Sequence, residues 1–72
     1  MARRTDEWPP ELEALLREHF TAAAGFCRFL TGSEEAAKEL LAEAVALAAM
    51  RFRQLRDRGK FRPWLYAIIR NR

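Results

Sequence analysis

Phe61-Arg62-Pro63-Trp64-Leu65-Tyr66-Ala67-Ile68-Ile69-Arg70-Asn71 is the stretch on which the fold turns. Phe61, Trp64, Leu65, Ile68 and Ile69 recur at three- and four-residue steps, which gathers them on one side of a helix. Arg62, Tyr66 and Arg70 follow at four-residue steps on another side, giving a stripe of cation, aromatic, cation. Pro63 fits just inside the helix start, where an amide N–H would lack an intrahelical partner in any case. These features predict a helix over residues 62–72 with one apolar and one cationic face. Directly before it, Arg56-Asp57-Arg58-Gly59-Lys60 combines turn-forming residues with three cations and reads as an exposed loop.

Upstream of that loop, a second helix is expected from residue 34 to about residue 55, with Ala37, Leu40, Leu41, Ala44, Val45, Leu47, Ala48 and Phe52 as its apolar positions. Its other side carries Glu35, Lys38, Glu39, Ala42, Glu43 and Ala46 before giving way to Arg51 and Arg53, so its electrostatic character changes along its length. Thr31-Gly32-Ser33 breaks the chain ahead of it. Gly32 can take the left-handed conformation that ends a helix, and Ser33 followed by Glu34 and Glu35 reads as an N-cap and acidic first turn. The first helix is expected over residues 10–30, with Leu12, Leu15, Leu16, Phe20, Ala23, Ala24, Cys27 and Leu30 as its buried stripe. The fold class is therefore all-α: a compact bundle of three helices with a basic loop before the third, residues 1–9 forming a tail and 10–72 the domain.

A chain of 72 residues has room for one core. Half of the residues are hydrophobic, but many of these are Ala, so the core is thin and its stability is expected near or below about 5 kcal/mol. Charge is more informative than size. Residues 1–50 hold five bases and nine acids, whereas residues 51–72 hold eight bases and one acid, Asp57. The two parts should meet different partners: the dense C-terminal cations have the footprint of phosphate contact, and the acidic part would be repelled by nucleic acid.

Several classes are excluded. Cys27 is the single cysteine, which rules out an intrachain disulfide and reads as a small core residue. His19 reads as a surface or helix-packing residue, no metal-ligand pattern surrounds either, and no cofactor is implied. No nucleophile with a base, carboxylate pair or phosphate loop is apparent, so the chain is not expected to be an enzyme or to take a small-molecule substrate. There is no apolar run of membrane-spanning length and no signal-peptide stretch, which points to the cytoplasm.

Three segments in order resemble successive signatures of region 2 of a sigma factor, in particular of the extracytoplasmic-function group, over about residues 11–71. Leu12 to Phe20, followed by Phe26-Cys27-Arg28-Phe29-Leu30-Thr31-Gly32, is similar to the family's first helix and its closing Leu-Thr-Gly turn. Glu34 to Glu43 looks like its acidic segment, and the quoted stretch from Phe61 to Asn71 is similar to Phe-x-x-Trp-Leu-Tyr-x-Ile-Ala-x-Asn. Glu43 and Trp64 stand 21 positions apart, a spacing the family also uses. The resemblance implies a transcription initiation factor domain with two partners. Glu35, Glu39, Ala42 and Glu43 would face a coiled coil of the largest subunit of core RNA polymerase. The loop and third helix would open promoter DNA and read the −10 element as a single strand. Arg56, Arg58, Lys60, Arg62 and Arg70 are then phosphate-contact candidates and Phe61, Tyr66 and Asn71 base-contact candidates; Trp64 divides between core packing, which its wheel position favours, and base stacking.

The sequence departs from the family's pattern at four positions: Ala42 stands for the customary Gln, Val45 for a Phe, Ala49 for a Trp or Tyr, and Ala67 for a basic residue. A −35-reading region 4, which would follow the third helix in the family, is not expected within these 72 residues. Two further readings stay open: a decoy or regulator that captures an anti-sigma factor or polymerase without reading promoters, and a basic helical module that binds nucleic acid without sequence preference.

Overall fold

The computed structural model describes residues 8–71. Helix α1 runs Pro10–Thr31, α2 runs Glu34–Arg51 and α3 runs Phe61–Arg70, with two single 3₁₀ turns, Phe52–Gln54 and Arg58–Lys60, between the last two. The tail expected over residues 1–9 lies mostly outside the described residues. Of its described part, Trp8 is half-buried against the core.

Local chemistry sets each boundary. At the start of α1, Pro9 is extended and its carbonyl accepts from the Leu12 and Glu13 amides, while Pro10, having no N–H, occupies the first turn with Glu11 and Glu13 at the positive end of the helix dipole. At the other end Gly32 adopts φ 74°, and its N–H donates to the Arg28 carbonyl. The Ser33 hydroxyl then accepts from the Ala36 amide and starts α2, as its sequence predicts.

Core packing draws unequally on the three helices. Leu12, Ala23 and Cys27 of α1, Ala37, Leu41, Ala44 and Ala48 of α2, Phe52 and Leu55 after it, and Phe61, Leu65, Ile68 and Ile69 of α3 are buried. Full burial of a large apolar side chain is worth about 1.5–3 kcal/mol, so Leu12, Phe61, Leu65 and Ile69 supply much of the cohesion, while α2 contributes mainly a methyl-lined surface that lets it lie close to α1.

Three expectations are corrected. Phe20 and Leu30, assigned to the buried stripe, are 53% and 44% exposed: Phe20 lies beside the buried line of Leu12, Ala23 and Cys27 and borders the grooves between α1 and α2, and Leu30 is at the last turn of α1. The second helix stops at Arg51, four positions early, where the chain tightens so that Phe52 and Leu55 can both turn into the core. The segment expected as an open loop contains a 3₁₀ turn, Arg58–Lys60, capped by the Asp57 carboxylate, which accepts from the Gly59 amide at 2.9 Å.

Candidate nucleic-acid and protein interfaces

The basic loop is built on a buried footing. Leu55 enters the core, the Lys60 amide donates to the Asp57 carbonyl at 2.9 Å, and Phe61 closes the segment with a ring that is fully buried. Arg56, two positions before the 3₁₀ turn, and Lys60, its last residue, are left in solvent. Together with Leu55, Asp57, Pro63 and Trp64 they line an open cleft. Trp64 is half-buried: its ring meets Phe52 edge-on at 6.4 Å and Phe61 at 5.8 Å, and it also forms part of the cleft wall. It therefore has core contacts and also lines the cleft that Arg56 and Lys60 border.

Two candidates in this segment need correction. Phe61 has no exposed surface, so its ring packs in the core and is not presented to a base. Arg58 is not a free cation. One guanidinium nitrogen donates to Glu11 Oε1 at 2.9 Å, another to the Leu55 carbonyl, and the group lies 4.3 Å from the centre of the Phe52 ring. A phosphate would have to compete with all three contacts.

On α3, Phe61, Leu65, Ile68 and Ile69 take the buried side, while Arg62, Arg70 and Asn71 are exposed. Arg62 donates from Nε to His19 Nδ1 at 3.2 Å, and the His19 ring packs 5.5 Å from Phe61, so His19 fastens α3 to α1. Tyr66 stacks face to face on Phe26 of α1, with centroids 4.3 Å apart and planes 4° from parallel. One face of this aromatic is thus occupied within the protein. Phe26 and Glu11 escaped the sequence reading because each is 40 or more positions from its partner, and no local periodicity marks such a contact.

The acidic surface lies elsewhere. Glu35, Glu39, Ala42 and Glu43 are all exposed on α2, on the side away from Ala37, Ala44 and Ala48. Ala42 also borders an apolar groove with Trp8, Phe20, Leu41 and Val45. Neither this face nor the cations of the loop and α3 is buried by the other.

Cys27 is buried, and desolvation pushes its thiol above the ordinary range, which keeps it protonated. Among the described residues no group of three His, Cys, Asp or Glu could hold a metal ion, and no helix is long and apolar enough to cross a membrane.

The sequence model of the Sigma-70 region 2 family matches residues 15–72, which is most of the chain and takes in α1 from its second turn onward, α2, the basic loop and α3. No curated protein and no solved structure gave a significant match.

Proposed function

The chain belongs to the sigma-70 region 2 family, and from that premise we propose that it binds core RNA polymerase through α2 and the single-stranded −10 promoter element through the basic loop and α3. A part in transcription initiation is the family's own property, and its domain is a non-enzymatic one. The division of labour is our reading. The observation that carries it is the exposure of two oppositely charged surfaces on different elements: Glu35, Glu39 and Glu43 on α2, and Arg56, Lys60, Arg62 and Arg70 on the loop and α3.

The chemistry suits the two roles. Cations track phosphates without reading sequence, whereas aromatic faces stack on unpaired bases for about 1–3 kcal/mol each. The cleft lined by Arg56, Lys60 and Trp64 brings both kinds of group together. Further along α3 Arg70 and Asn71 are exposed, while Tyr66 lies on the opposite flank of the helix from Trp64, stacked on Phe26 of α1. On the acidic side, Glu35 and Glu39 are four residues apart on the exposed face of α2, and a basic partner would offset their like charge.

The test is binding of the chain to core polymerase, followed by retention of a −10-like single strand in that complex. Glu39→Arg combined with Glu43→Arg is expected to abolish the first, and Tyr66→Ala combined with Arg70→Ala to reduce the second at least tenfold, on the order of two lost contacts. Unaltered polymerase binding would contradict the α2 assignment. A second reading, a regulator that occupies polymerase or an anti-sigma factor without reading DNA, is favoured by alanines at 42 and 67. Equal retention of −10-like and scrambled strands would select it.

A further inference from the structure

We infer that Glu11 and Arg58 are positioning residues, a clamp that fixes the basic loop against the N-terminal turn of α1 so that Arg56 and Lys60 flank the Trp64 cleft. The inference rests on the reading of that cleft as a nucleic-acid site, and adds a group no charge count would place there, since Glu11 is an acid.

Arg58 makes three contacts that converge on the loop from three directions. It donates to Glu11 Oε1 at 2.9 Å, across 47 positions of sequence, and to the Leu55 carbonyl at the point where the chain leaves the core. Its guanidinium plane also covers Phe52, whose ring edges on to Trp64. Only a planar, multiply donating group can do all of this at once. Its Nε is buried without a partner, so the side chain gives up one hydrogen bond to hold this position. Leu55 and Trp64 are themselves walls of the cleft, and Arg56, Asp57, Lys60 and Pro63 complete it. The clamp therefore touches the cleft's footing at two points while leaving its cations outward.

This makes a prediction with an unusual sign. Glu11→Gln removes a negative charge from a protein that binds a polyanion, and long-range electrostatics alone gives tighter binding. If Glu11 acts through Arg58, the same change loosens the loop and weakens binding. Glu13→Gln is the matched control, with the same charge change in the same helical turn.

The full 72-residue chain would be followed by amide hydrogen exchange and by titration of a fluorescent −10-like single strand at low salt. Glu11→Gln and Arg58→Lys are expected to speed exchange at Gly59 and Lys60 and to weaken binding about two- to fivefold, the range of one exposed ion pair, while Glu13→Gln does neither. Unchanged exchange at Gly59 and Lys60, or tighter binding by Glu11→Gln, overturns the clamp. If exchange responds but Arg56→Ala with Lys60→Ala leaves strand binding untouched, the clamp stands as the device that orders the loop and the nucleic-acid reading of the cleft fails.

Discussion

Phe61 closes the basic loop with a ring that has no exposed surface, so one residue joins that loop to the core. Phe61→Ala should lower stability by about 3–5 kcal/mol, the usual cost of emptying a buried aromatic site. Against a small core this is enough to erase the native baseline in a urea titration. A loss under about 1 kcal/mol would place the ring at the surface and reopen its role in base contact. The period of α3 already puts Phe61 on the apolar side with Leu65 and Ile68, and the buried ring agrees with that spacing and not with the base contact that the family resemblance implied. Arg58 was misread for a different reason. A cation among cations looks free until the folded chain brings Glu11 beside it.

The turn between α1 and α2 shows what short elements make legible. Gly32 and Ser33 act as expected, one at φ 74° and the other capping Ala36, because each conformation is dictated by the residue itself. Nothing crowds a Cβ at Gly32, so Gly32→Ala isolates the backbone effect. It should cost about 1–2 kcal/mol, seen as a lower urea midpoint with an unchanged slope. A neutral result would mean that the turn relaxes out of the left-handed region. The helix count, their order and the buried side of α3 were likewise readable from three- and four-residue spacing. The end of α2 was not, since Phe52 keeps the helical period while serving a tighter turn, and neither was the Phe26–Tyr66 stack, which depends on how α3 lies on α1.

At the scale of the molecule, the buried Cys27 couples stability to pH. Burial raises its thiol pKa in the folded state, so its contribution is fully present below the ordinary thiol range and is lost as pH rises through the higher folded value. Urea midpoints should therefore fall on the alkaline side, and Cys27→Ala should fall less steeply; parallel profiles would show that the thiol is not protected. The whole chain also relies on α2 to carry its acidic face, yet α2 meets α1 largely through Ala37, Ala44 and Ala48. Methyl groups offer little interlocking, so axial slip is resisted at Leu41, the large buried side chain of α2, and at the two ends, by the Gly32-Ser33 turn and by Phe52 with Leu55. An added residue in that turn would set the start of α2 against the anchor at Phe52 and Leu55, and the carboxylates could swing to a new bearing only by drawing Leu41 out of the core.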